Sequence, residues 1–284
     1  MTPLLTLLAC TTSELSESWQ IDRLRVLAVA AEPAEPRPGD TVTFTSLVVS
    51  PEVEVAATIW FACLTGGDDF GCDVDPSLLE DLDPEALTSD DLEALAAAGF
   101  IGAEPFLPPV WAVPTDALDG LTPDQRREGL TALVNVTAVP DIPSPTEQDL
   151  ELAYKRVPVS EAETPNHNPV ITSIRVDGVE IPPGTTASLD RGQPYTIAVT
   201  LSETSVESYT FVNADGVTET RVEAPYFTWY ARDGTFDRTF DLWPYADTVF
   251  YAPDAPDTEN PGIWVVVRDR RGGMSWASVA VRYR

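Results

Sequence analysis

The chain has 284 residues and a formal net charge of -29 at pH 7, from 46 Asp and Glu against 17 Lys and Arg. Such a surface is repelled by nucleic acid phosphates and by anionic lipid headgroups, which excludes nucleic acid as a partner and polybasic docking to a membrane. No apolar run approaches the ~20 residues of a transmembrane helix, so a lipid anchor is the one membrane contact left.

The chain opens MTPLLTLLAC. Leu7-Leu8-Ala9-Cys10 has the form of a bacterial lipobox, with an apolar residue three before the cysteine and a small residue just before it. On that reading residues 1–19 are a lipoprotein signal and polar tether, and Cys10 is the lipidated terminus of an envelope protein, sorted to an outer membrane. A short apolar core and the absence of Lys or Arg before it leave a second reading open, a frayed strand with a stray thiol. Two cysteines then remain, Cys63 and Cys72, around a Gly-bearing stretch. An even count in an oxidising compartment predicts a disulfide between them, closing a short loop worth about 2–3 kcal/mol.

The strongest internal signal is a repeat. Residues 20–160 and 170–284 each begin with an alternating apolar stretch, a Pro- or Gly-bearing turn (Pro38-Gly39-Asp40; Arg191-Gly192-Gln193) and a second alternating stretch. Val42, Phe44, Ser46 and Val48 share one face in the first copy; Tyr195, Ile197, Val199 and Leu201 share one in the second. Period-2 alternation of this kind predicts half-buried antiparallel strands. Each copy then carries a Trp in a third strand, Trp60 and Trp229, and closes on two further strands. Between the copies, EAETPNHNP (161–169) reads as a linker stiffened by Pro165 and Pro169. The predicted class is mainly β, two tandem β-sandwiches.

The first copy differs by an insertion at about 73–128 that reads as helical. Asp83-Pro84-Glu85, Thr88-Ser89-Asp90-Asp91 and Thr122-Pro123-Asp124-Gln125 are helix starts, and Gly99 is a stop. Leu92, Leu95 and Ala96 give the middle helix an apolar stripe. The insertion either covers a sheet edge or forms a lid over a groove.

The closing run NPGIWVVVRDRRGGMSWASVAVRYR resembles the last hairpin of polycystic-kidney-disease-type and related bacterial immunoglobulin-like domains, and YFTWYARDGTF is similar to their Trp-bearing third strand. The whole arrangement resembles bacterial surface lipoproteins that carry such domains. The resemblance implies immunoglobulin-like sandwiches with adhesive or spacer roles outside the cytoplasm.

Catalytic parts are sparse. The single histidine, His167, lies in the linker, and Lys155 reads as an outward-facing strand lysine. No GxSxG, HExxH or phosphate-binding glycine loop occurs, which predicts a protein that is not an enzyme and carries no cofactor. Calcium is the one metal for which hard ligands are available, at Asp68, Asp69, Asp73 and Asp75, or around Asp254, Asp257 and Glu259. In a chain this acidic, solvated acidic loops are the default reading of both stretches, and Asp68–Asp75 is the better calcium candidate. Aromatics crowd DLWPYADTVFY, where Trp243, Tyr245, Phe250 and Tyr251 either form a surface for a glycan or protein partner or fill the end of the second sandwich.

Overall fold

The computed structural model describes residues 17–64, 88–212, 216–256 and 261–284. In the first half, β1 (Arg25–Glu32), β2 (Thr41–Val49) and β5 (Val110–Ala112) form one sheet in the order β1-β2-β5. β3 (Val55–Leu64), β4 (Phe100–Glu104), β6 (Leu130–Pro140) and β7 (Glu151–Val159) form the facing sheet, β4-β3-β6-β7. Alternation turns Val42 and Phe44 inward against Trp60, Val134 and Val136, and Trp60 is fully buried.

The second half repeats the plan. β10 (Thr186–Leu189), β14 (Tyr226–Ala231), β16 (Phe240–Leu242), β18 (Gly262–Arg268) and β19 (Met274–Tyr283) form a sheet in the order β10-β19-β18-β14-β16. β8 (Ile171–Val176), β9 (Val179–Glu180), β11 (Pro194–Leu201), β15 (Thr235–Phe236) and β17 (Asp247–Tyr251) form the other, β15-β17-β11-β8-β9. A separate hairpin, β12 (Ser208–Val212) with β13 (Thr218–Val222), stands beside them. Trp229 is fully buried between the sheets, opposite Val265 of β18, as Trp60 lies opposite Val136 of β6.

Among the described residues the helical part is smaller than the sequence suggests. Helix α1 (Ser89–Ala97) and the short α2 (Pro123–Glu128) start where expected, each with a reciprocal capping box, Thr88 with Asp91 and Thr122 with Gln125. Gly99 closes α1 at φ +88, and a Cβ there would meet the Ala62 carbonyl oxygen at 2.6 Å, so the helix ends pressed against β3. Leu95 is buried but Ala96 is exposed, so the stripe is narrower than three residues. Between the helices, β4 and β5 complete both sheets, and Trp111 enters the core. Runs of five and three residues broken by Pro105, Pro108 and Pro109 are too short to display a period. The helix start at Asp83 lies outside the described residues.

The two sandwiches share a third core. Ile21, Leu27, Ala28 and Val49 from the first half of the chain pack on Tyr230 and Val266 of the second, flanked by Leu47, Trp264, Met274 and Trp276. This explains why β2 departs from simple alternation: Val42 and Phe44 face its own core, while Val49 on the opposite face is buried by the other sandwich. The free edge of β1 is covered in the same way. Leu27 O accepts from Arg268, Val29 N–H donates to the Met274 sulfur, and Ala31 O accepts from Asn168. Side chains of the second half and the linker thus occupy the positions a pairing strand would take.

The first described residues also dock on the second sandwich. Ile21 N–H donates to Ala231 O, Ala231 N–H donates to Trp19 O, and the Trp19 ring meets Phe236 edge-on at 5.7 Å. Residues from Glu17 to Ile21 are therefore part of the folded body. Among the described residues no helix is long and apolar enough to cross a membrane.

Candidate functional site

The linker is the first place where chemistry gathers. Asn166 is 1% exposed and donates to Asp269, itself 1% exposed. Asp269 also accepts the backbone N–H groups of Arg271, Gly272 and Gly273 in the turn between β18 and β19. Lys155 of β7 donates to Gly272 O. It is buried rather than outward-facing, because β7 lies under this turn. Burial lowers the Lys155 pKa to about 8, with the Asp269 charge acting against it. Burial also raises Asp269, against the hydrogen bonds from Asn166 and the turn.

Beside this pair, Arg271 holds Glu223 (3.0 Å), Glu207 (3.2 Å) and Glu35 (3.2 Å), and its guanidinium lies 4.5 Å from the Tyr209 ring centre. Glu35 belongs to the first sandwich; Glu207 and Glu223 flank the β12–β13 hairpin. One cation thus ties three parts of the chain. His167 is exposed and bonds Glu207 at 2.7 Å, at the rim of this ion-pair chain. Ser160 donates to Glu35 and Lys155 to Gly272 O, so both side chains serve this seam between the sandwiches.

The second gathering is apolar and faces outward. In β16, Asp241 points inward at 5% exposure, while Phe240 (51%) and Leu242 (42%) point outward. The Phe240 ring lies 5.4 Å from that of Tyr226, and Arg268 and Arg270 flank Tyr226 at 5.8 and 5.9 Å. The next four residues turn sharply. Trp243 N–H donates to Pro225 O, Tyr245 N–H donates to Leu242 O, and the Trp243-Pro244 bond is cis, which makes the turn type VI. Trp243 and Tyr245 stay exposed on this turn.

This edge is held firmly from behind. Asp241 pairs with Arg238 at 3.0 Å, and Arg238 donates to Asp247 O. Asp237 accepts from the Thr248 hydroxyl and Val249 N–H. Burial raises the Asp241 pKa, against the pull of Arg238 and of the Trp229 indole.

Of the four aromatics singled out in the sequence, the structure brings two together. Trp243 and Tyr245 share the turn. Phe250 is fully buried, 5.2 Å from Phe236, and is core rather than surface. Tyr251 is exposed but belongs to β17, in the other sheet. Phe240, Leu242 and Tyr226 were missed. Their signal was present in TFDLW, where an acid sits between two apolar residues at period 2, the pattern of a strand with its polar side inward.

Cys63 lies near the end of β3, opposite Leu133 of β6. Cys10, Cys72 and the candidate calcium ligands Asp68, Asp69, Asp73 and Asp75 lie outside the described residues, as do Asp257 and Glu259. Among the described residues no group of three or more His, Cys, Asp or Glu is placed to hold a metal ion.

The strand orders, with a buried Trp on the strand next to a short edge strand in each half, define the class: two tandem immunoglobulin-like β-sandwiches, the first with a minor helical insertion. No protein-family model matches the chain, and no curated protein matches it. Solved structures similar to it include a chimeric titin Z1Z2 carrying a KLER peptide from decorin (11% identity, 92% of this chain and 94% of that chain, TM-score 0.21). Murine CEACAM1b matches at 8% identity over 92% and 99% of the two chains, TM-score 0.22. The D0-D1 domain of intimin matches at 12% identity over 90% and 98%, TM-score 0.22. The fold assignment rests on the strand order and pairing of this chain.

Proposed function

We propose that this protein is a non-enzymatic interaction module of the cell envelope, attached to a membrane by lipid on Cys10, that offers the β16 edge to a protein or glycan partner. The observation that carries this reading is the outward surface of Phe240, Leu242, Trp243 and Tyr245 on a segment locked by Asp237, Arg238 and Asp241. Aromatic and aliphatic side chains held rigid at the surface can contact a partner without first losing conformational freedom. The shared third core makes the two sandwiches one body, so the module presents this edge in a fixed direction.

The docking of Glu17 to Ile21 on β14 supports a particular placement. From Cys10 to Glu17 the chain spans at most about 25 Å. A lipid on Cys10 therefore holds the second sandwich close to the membrane. A Cys63–Cys72 disulfide belongs to the same reading, as does an outer-membrane location.

Two experiments test it. The full chain and its Trp243→Ala/Phe240→Ala variant are screened against envelope extract and a glycan array; the wild type retains a partner and the variant loses it at least about tenfold, since hot-spot aromatics carry 1.4 kcal/mol or more each. Equal retention by the variant removes the β16 surface from the proposal. Labelling with a palmitate analogue tests the anchor, and incorporation that survives Cys10→Ser defeats it.

A further inference from the structure

Strand β16 carries backbone groups that the fold does not use. It pairs with β14 alone and ends its sheet. In that antiparallel ladder Trp229 N–H donates to Thr239 O and Trp243 N–H donates to Pro225 O, with Asp241 opposite Phe227 between them. Residues 239, 241 and 243 therefore turn their backbone groups to β14, and the alternation of the ladder points those of Phe240 and Leu242 away from it. Leu242 O accepts from Tyr245 N–H in the turn that follows. The Phe240 N–H, the Phe240 carbonyl and the Leu242 N–H have no partner among the described residues.

Two comparable edges are closed. β4, which holds the same place in the first sandwich, is covered by its own turn, where Ala103 and Leu107 exchange both backbone bonds. The outer edge of β1 is met by Arg268, Met274 and Asn168. β16 has no such cover, and neither a bulge nor an outward charge blunts it. The side chains beside its free groups are apolar. Phe240 and Leu242 stand opposite Thr228 and Tyr226, and Thr228 stands opposite Val266, which the first sandwich buries in the shared core. The sheet face that already takes one protein surface thus runs on to an exposed last strand.

We infer that β16 accepts a β-strand from a second, different protein, an extended segment with apolar side chains at alternate positions and no proline in the pairing stretch. This rests on the reading of β16 as the docking edge and narrows its partner from a protein or glycan to a protein strand. A strand offers donors and acceptors at the spacing of Phe240 and Leu242 while laying every second side chain on the face those residues share. A second copy of this chain is disfavoured, because two bodies of charge -29 repel. Three backbone bonds are few, so most of the affinity comes from side chains packed over Phe240, Leu242 and the exposed Trp243.

The test selects random decapeptides displayed on phage against the full chain and titrates the selected peptides by calorimetry. They are expected to alternate apolar residues and to lose at least about tenfold in affinity when one set of alternate residues is N-methylated, and less when the intervening set is, since only one backbone edge faces β16. On the protein, Leu242→Pro removes the free N–H and Leu242→Ala keeps it. That N–H points away from β14, so proline is compatible with the ladder, and unchanged thermal unfolding verifies the fold. Leu242→Pro should bind the peptides at least about tenfold more weakly than Leu242→Ala. Should the proline variant fail to fold, the methylated peptides decide alone. Equal binding of both methylated forms overturns strand pairing, and loss of that binding in Phe240→Ala would still leave β16 as an apolar docking surface. Peptides indifferent to Phe240→Ala overturn both readings. No selected peptide, or self-association of the chain that Leu242→Pro abolishes, also overturns the inference, the second by giving the edge to another copy.

Discussion

The two sandwiches meet the same difficulty with different parts. Each buries a Trp completely, and an indole N–H out of reach of water needs an acceptor. In the first, Trp60 donates to Thr58 at 2.9 Å, and Thr58 passes its own hydroxyl to Glu104 of β4 at 3.1 Å. In the second, the Trp229 indole faces Asp241 of β16, helping to hold its charge while short of ordinary hydrogen-bond geometry. β4 and β16 occupy the same place, next to the Trp strand and at the edge of their sheets. The difference is how deep the carboxylate goes. A threonine relay keeps the Glu104 acid at the rim of the first sandwich, whereas Asp241 is itself drawn inside and needs Arg238 beside it. That inward pull fixes β16 and leaves Phe240 and Leu242 facing out. The inward Asp241, paired with Arg238, thus leaves Phe240 and Leu242 on the exposed face of β16.

The bluntest way to challenge the equivalence is to remove each ring. Trp60→Ala and Trp229→Ala should each cost about 3–5 kcal/mol by urea unfolding, the range for deleting a large buried aromatic. A loss below about 1 kcal/mol at either site would show that the two positions are not equivalent. Nearly as large an effect is expected at the seam. Asp269→Ala leaves Lys155 buried without its counter-charge and frees three backbone N–H groups, and removing one partner of such a buried pair costs about 3–5 kcal/mol. Because the seam joins the two sandwiches, the wild type should unfold in one transition and this variant in two. Two transitions in the wild type would show that the shared core does not couple them.

A finer cut compares the two acceptors. Thr58→Val strands the Trp60 N–H and should cost about 1–3 kcal/mol, the penalty for an unsatisfied buried donor. Asp241→Asn keeps an oxygen facing Trp229 while discharging a buried group, so its cost should be smaller. The reverse order would mean that the Asp241 charge, not its oxygen, anchors β16.

What the sequence disclosed follows from the length and regularity of each element. β11 alternates through Tyr195, Ile197, Val199 and Leu201, and Thr88 and Thr122 carry complete capping signals, so these elements were legible. β4, β5 and β16 span five, three and three residues beside prolines, and nothing periodic survives at that length. The seam was invisible for another reason. A linker rich in Asn, Glu and Pro has the composition of a solvated connector, and only the fold places Asn166 beside Asp269 and Lys155 under the turn that follows β18. The β16 edge was half legible: an aromatic excess could be counted, but the assignment of Phe250 to the core and Phe240 to the surface required the register.

The smallest expected effect concerns pH, and it separates the seam from the surface. Burial raises Asp269, Asp241 and Glu223 in the folded state, so each binds its proton more readily folded than unfolded. Their stabilising contribution is complete below the unfolded carboxylate range and is lost as pH rises through the folded values. Lowering the pH from 7 toward the carboxylate range should therefore stabilise the protein slightly. Below that range the trend should reverse, because hydrogen bonds from Thr88 and Thr146 hold Asp91 and Asp149 below their ordinary values and their protonation removes those bonds. Relief of repulsion in a body of charge -29 acts in the same direction as the buried acids, but salt screens it, whereas the seam is shielded from salt. A gain on acidification that persists in high salt and shrinks in Asp269→Asn belongs to the seam; one that vanishes in high salt belongs to the surface. On the alkaline side, Lys155 at about 8 binds its proton less readily folded than unfolded. Stability should thus rise with pH from about 8 toward the ordinary lysine value, and Lys155→Met should flatten that rise.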